Sequence, residues 1–204
     1  MALSGVFLII FLAQHFIINI TSVFPDGGKT FNALSHFMGN NPMVQFVLQP
    51  ILILGVIVHF SLGIYLEIQN QRSRQVSYVK YSGGNGASWA SRNMIISGLV
   101  ILSFLIMHFY DFWVPEIVYK YVDHNELNEH RYFHELQLKF QELFRVLIYC
   151  VSFVLLALHL LHGLGSSMQT MGVTRGPIKL ISILFSIIVP AGFIFIAIFH
   201  YIYH

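Results

Sequence analysis

Four stretches of the chain set histidines among apolar residues: AQHFIIN around His15, IVHFSLG around His59, IMHFYD around His108, and ALHLLHG with His159 and His162. An imidazole can ligate a metal through a neutral ring nitrogen, pass a proton, or hydrogen-bond a neighbouring helix. An ionisable side chain in hydrocarbon is costly and usually marks function. One such histidine is commonly a core residue satisfied by another helix. Four on consecutive apolar segments ask for a shared explanation.

Composition sets the surroundings. Of 204 residues, 56% are hydrophobic and 10% charged, where a soluble domain is about a quarter charged. The expectation is a single all-α domain over residues 1–204, embedded in lipid, with no sizeable soluble part. The one cysteine, Cys150, excludes a disulfide framework, a thiolate zinc site and an iron–sulfur cluster within the chain. No CxxCH is present, which excludes covalent c-type haem attachment. No nucleic-acid partner is expected.

Five apolar segments are long enough to cross a bilayer, roughly 3–24, 43–68, 93–114, 145–168 and 178–202. The first has no basic n-region and no A-x-A site, and reads as a retained span. Pro115 is expected to close the third and Pro190 to kink the fifth. No internal repeat is apparent. The loop after the second segment carries Arg72, Arg74, Lys80 and Arg92 without an acid; the loop after the fourth carries Arg175 and Lys179. The positive-inside bias puts both in the cytoplasm, with the N-terminus inside and the C-terminus outside. The outer loop at 115–144 is mostly acidic. Phe133, Leu136, Phe140, Leu143 and Phe144 recur in it near helical spacing, so an amphipathic helix lying on the outer surface is expected.

Helical rise places the histidines in depth. From the outer ends, His15 lies roughly 13 Å down and His108 roughly 10 Å, against roughly 24 Å for His59 and 21 Å for His159. The first and third segments thus give one histidine each to an outer layer, and the second and fourth one each to an inner layer. Two imidazoles at one depth on separate helices can grip a flat metal macrocycle from both faces. Two layers imply two b-type haems, one above the other. Zinc is the rival metal, but two histidines per layer without a carboxylate or thiolate make a poor zinc site. Filling both axial positions suits electron transfer, not oxygen binding.

The order of motifs resembles the di-haem cytochrome b membrane subunit of succinate:menaquinone oxidoreductases and the related fumarate reductases. The carriers are SGVFLIIFLAQHFIINITSVF, GKTFNALSHFMGNNPMV, HFSLGIYLEIQ, RNMIISGLVILSFLIMHFYDFWVP and HLLHGLGSSMQTMG, which together cover nearly the whole chain. The resemblance implies a five-helix fold whose first four helices form the haem-binding bundle. It implies that His59 and His159 hold the inner haem, and His15 and His108 the outer. It selects His159 over His162, because the family's ligand stands thirteen residues before a helix-ending glycine, here Gly172. His162, Arg92 and Gln169 become candidates for contacts around the haem. Arg92 is equally an ordinary positive-inside anchor. Gly63, Gly98 and Gly163 would let either the macrocycle or a neighbouring helix come close.

The resemblance further implies a flavoprotein subunit that oxidises succinate and an iron–sulfur subunit that passes electrons on, both docked on the cytoplasmic face of a bacterial inner membrane. Menaquinone would meet the electrons near the outer surface. The chain would be the quinone-reactive subunit of an enzyme whose succinate site lies elsewhere, since it carries no dinucleotide fingerprint. Candidate quinone-site residues are His36, Gln45, Gln49, Asp111 and Trp113. The acid that some members carry near the first loop is missing here, which leaves the proton route open. The glutamate that some relatives carry two residues before the fourth-span ligand is replaced by Ala157, so no such proton pathway is expected. Two other readings remain: a di-haem anchor for another quinone-linked dehydrogenase, and a non-redox membrane protein with structural histidines.

Overall fold

The computed structural model describes residues 1–73, 94–126, 128–173 and 176–203. Among them every regular element is helical. Five helical stretches are long and apolar enough to cross a membrane: Ala2–Val23, Val44–Arg72, Met94–Val122, Leu143–Thr170 and Gly176–Tyr203. A backbone without water must satisfy its polar groups internally, and a helix does so within one segment. Large side chains such as Ile10, Ile17, Phe46, Ile106 and Ile187 point outward and give an apolar perimeter. Arg74, Lys80, Arg92 and Arg175 lie outside the described residues, so the charged loops behind the orientation expectation do too.

In chain order the elements are α1 (Ala2–Ile20), α2 (Lys29–Asn40), α3 (Gln49–Ser73), α4 (Met94–His108), α5 (Arg131–Phe140), α6 (Leu143–Thr170) and α7 (Gly176–Tyr203). Pro115 does not close the third span. After α4 the helix continues as a π turn (Phe109–Trp113), an α turn (Val114–Ile117) and a second π turn (Val118–Val122). A proline in an α-helix clashes with the carbonyl four residues back. A widened turn just before it relieves that clash. The second span uses the same device, with a π turn at Val44–Leu48 ahead of Pro50. Pro190 sits inside the continuous helix α7.

The expected helix is present as α5 with part of its apolar face turned into the bundle, while Leu143 and Phe144 fall in α6 and are exposed. Leu136 and Phe140 are buried, in one cluster with Phe31 of α2, Val146, Tyr149 and Phe153 of α6, and Val189, Phe193, Ile196 and Ala197 of α7. The most extensive helix pair is α6 with α7, so the fifth span belongs to the core. Burial thus concentrates in the half of the molecule that holds His15 and His108.

Two turns depend on glycine. Gly172, at φ +75°, ends α6, with the Val173 N–H donating to the Met168 carbonyl (2.9 Å); this is the left-handed cap that stops a helix. Gly28, at φ +78°, opens α2. The Asp26 carboxylate accepts hydrogen bonds there from the Thr30 hydroxyl (2.5 Å) and the Thr30 and Gly28 N–H groups (2.9 and 3.0 Å). Those bonds, the Thr30 hydroxyl foremost, hold the Asp26 pKa below its ordinary value. A Cβ on Gly28 would stand 2.3 Å from the Phe133 ring of α5. Gly28→Ala should therefore lower stability by about 1–3 kcal/mol, read as a lower thermal midpoint in detergent. Gly27→Ala has the same positive φ but nothing within 4 Å of its Cβ, and should cost less.

Candidate functional site

The inner layer joins four helices. His59 of α3 and His159 of α6 meet edge-on with ring centroids 6.4 Å apart. Each Nδ1 lies 3.1 Å from a serine hydroxyl on a third or fourth helix, Ser4 Oγ of α1 for His59 and Ser97 Oγ of α4 for His159. Each serine donates its one hydrogen to the carbonyl three residues back, Ser4 to Met1 and Ser97 to Met94, both at 2.9 Å. A hydroxyl has one donor and two acceptor positions. A serine Oγ whose hydrogen sits on that carbonyl can only accept, and the histidine beside it then carries its proton on Nδ1. That leaves both Nε2 lone pairs free as ligands, the arrangement in which a contact behind the ring fixes the metal-binding tautomer.

The outer layer is drier. His15 of α1 and His108 of α4 stand with ring centroids 5.7 Å apart. Each has a phenylalanine stacked on it from one turn earlier in its own helix, Phe11 on His15 (5.5 Å) and Phe104 on His108 (5.8 Å). The Asn19 amide reaches the His15 ring only at 3.4–3.5 Å and is better directed to the His15 carbonyl, at 2.8 Å. His108 Nδ1 is buried with no hydrogen-bond partner among the described residues. Tyr149 packs against His108 at 6.4 Å and donates its hydroxyl to Asp111 (2.9 Å). Asp111 is buried in an ion pair with Arg145.

Seen together, the two layers expose an internal repeat that the sequence analysis passed over. Residues 1–15 and 94–108 both read M-x2-S-G-x5-F-x3-H, and α3 and α6 both continue from their inner histidine as H-x3-G. Equivalent positions do equivalent things. A Cβ on Gly5 would lie 3.6 Å from His59 Cε1, and one on Gly98 3.7 Å from His159 Cε1. Gly63 faces the Met1 side chain as Gly163 faces that of Met94. Ser4, Ser97, Phe11 and Phe104 are the site residues that sequence reasoning missed, and the repeat is the signal that could have found them.

It is His159, not His162, whose ring faces His59. A further histidine in a span, His200, was not singled out from the sequence. It is buried, and its Nε2 lies 3.0 Å from Ser22 Oγ, as a helix-packing histidine would be. Gln169 is exposed in the last turn of α6, and Arg92 lies outside the described residues. The quinone candidates are not gathered into one slot. His36 Nε2 is buried on α2 without a hydrogen-bond partner among the described residues. Gln45 donates to the Gly39 carbonyl and accepts from the Tyr121 hydroxyl at 3.2 Å. Gln49 opens α3 and Trp113 is part exposed beside Phe109, while Asp111 is committed to Arg145 and Tyr149.

A charged knot closes the end of the molecule nearer His15 and His108. Glu116 pairs with Lys120 and Arg131, Arg131 also with Glu135 (2.8 Å), and the Tyr132 hydroxyl donates to Glu116 Oε1 (3.2 Å). Burial, then the negative charge of Glu116, pushes the Tyr132 phenol up to about 12. Burial works against the Arg131 charge, but its bonds to Glu135 and Glu116 outweigh that and raise its pKa. The knot ties the third span to α5 and, through the Lys120 bond to the Gly39 carbonyl, to α2.

Both histidine pairs fit a bis-imidazole centre. A metal–imidazole bond is about 2 Å, so rings on opposite sides of one metal stand with centroids about 6 Å apart. The observed separations, 5.7 and 6.4 Å, bracket that. Among the described residues no three His, Cys, Asp or Glu side chains gather; two donors per layer suit the axial positions of a macrocycle better than a tetrahedral ion. No family model, curated protein or solved structure matches the chain.

The Asp111–Arg145 pair gives a stability test. Arg145→Met leaves a buried carboxylate without its cation and should cost about 3 kcal/mol. Asp111→Leu combined with Arg145→Met should recover most of that loss. Thermal unfolding of the single and double variants in detergent measures both.

Proposed function

We propose that this chain is a membrane-embedded di-haem cytochrome b. Within that class, the reading we favour is the membrane-anchor subunit of a bacterial succinate:menaquinone oxidoreductase, able to run in reverse as a fumarate reductase. The observation that carries the class is the pairing of four histidines from four spans into two couples, with ring centroids 5.7 and 6.4 Å apart, close to the separation a shared axial metal requires. The ordered motifs carry the narrower reading. It makes flavoprotein and iron–sulfur subunits the partners on the cytoplasmic side.

His59 and His159 would hold the inner haem and His15 and His108 the outer. When bound, the two haems supply one-electron carriers at two depths in the membrane. The chain's own residues do the rest. Ser4 and Ser97 present the inner Nε2 lone pairs. Phe11 and Phe104 fix the tilt of the outer imidazoles by stacking. Phe153, Phe193 and Tyr149 exclude water beside the outer pair. At the outer end, His36, Gln45, Gln49, Asp111 and Trp113 are the groups available to orient a quinone and exchange protons with it. With Ala157 where a carboxylate would be needed in the fourth span, no proton pathway through that span is expected.

The purified complex should show two b-type haems per chain by reduced-minus-oxidised spectroscopy and haem quantitation. His159→Ala should leave one haem, and His162→Ala two. A folded parent protein without haem would overturn the class. Two haems in a preparation whose partners are neither a flavoprotein nor an iron–sulfur protein would overturn the narrower assignment alone.

A further inference from the structure

We propose that Ser4 and Ser97 are positioning residues that set the electronic character of the inner centre, and of that centre only. The inference rests on the di-haem reading and adds to it two residues and an asymmetry between the layers. An acceptor on the far nitrogen of an imidazole draws its N–H proton away, raises the basicity of the ligating nitrogen, and stabilises the oxidised, more positive metal. Both inner histidines have such an acceptor when the serine hydrogens sit on the backbone carbonyls three residues back, which at 2.9 Å are nearer to each Oγ than the histidine Nδ1 at 3.1 Å. A hydroxyl whose hydrogen is already donated is also the better acceptor, since hydrogen bonds in a chain polarise one another.

Among the described residues the outer histidines have no equivalent. The Asn19 amide nitrogen near His15 can only donate, and His108 Nδ1 has no partner among the described residues. The two layers therefore hold the same pair of ligands in different donor states. The inner centre, next to the electron-donating side in the reading above, has its oxidised form favoured relative to the same site without the serines.

The serines are not incidental helix-facing hydroxyls. They stand at matching places in the repeat, each eleven residues before an outer histidine of its own helix. Each reaches the inner histidine of a different helix at the same distance. Each is followed by a glycine whose backbone lies against that same ring.

The test uses the complex carrying Ser4→Ala, Ser97→Ala, the double alanine variant, and the conservative Ser4→Thr and Ser97→Thr. The readouts are a redox titration resolving the two haems, the electron paramagnetic resonance spectrum of the oxidised form, and haem content. The expected result is an upward shift of the inner haem's potential in each alanine variant, larger in the double variant. The outer haem should not move, and threonine, which keeps the hydroxyl, should restore the parent value. Loss of the inner haem alone from the alanine variants, reversed by threonine, also supports the proposal. An unmoved inner haem overturns it, and so does an equal disturbance of both haems, which a general packing defect would give. A parent complex without haem instead sinks the reading of function on which the proposal rests, and that is seen before any variant is made.

Discussion

An imidazole in hydrocarbon has two nitrogens, and each must be given something to do. The hydrogen bond between His Nδ1 and a serine oxygen settles one nitrogen of His59 and of His159, and the remaining features of the inner layer follow from it. The serine must come from another helix, so α1 is drawn against α3 and α4 against α6. Its hydrogen must be disposed of, and the carbonyl one turn back takes it. The helix behind it must come close, and a glycine follows each serine. An unmet buried polar group costs on the order of 1–3 kcal/mol, so this single contact decides how four helices are rotated. The two rings then stand with their centroids 6.4 Å apart.

The outer half solves a different problem. There the helices carry aromatic rings, and α5 folds in from the connecting segment to bury Leu136 and Phe140 against α6 and α7. The charged groups between α2, the third span and α5 neutralise one another in the knot around Glu116. This half behaves as the packed base of the molecule, with the histidine couple of His15 and His108 set into its aromatic wall. Dispersion and shape hold the outer rings, where hydrogen bonds hold the inner ones.

Much of this was legible in the sequence because hydrocarbon imposes few choices. Span number followed from apolar length, and the two histidine depths followed from a rise of about 1.5 Å per residue. The continuation past Pro115 was hidden because a proline reads as a stop unless the turn before it widens. Nothing in a linear string shows a π turn. The inward turn of α5 was hidden because an amphipathic face reads the same against lipid as against protein; only the neighbouring aromatic rings decide. The serines were missed for another reason. Ser4 and Ser97 look like ordinary polar residues near helix ends, and their meaning rests on which ring they meet from another helix. The matching M-x2-S-G-x5-F-x3-H segments were in plain view, and a search for period instead of ligand type would have found them.

The spacing within that segment has a mechanical consequence. Eleven residues of α-helix make three turns to within about 20°, so Ser4 and His15 lie on one stripe of α1, and Ser97 and His108 on one stripe of α4. Each helix is then a shaft keyed at both ends. A twist of α1 that moved Ser4 off His59 would carry His15 off His108 by the same angle, some 16 Å away. Neither layer can drift alone, and the alignment of one end is checked by the fit of the other.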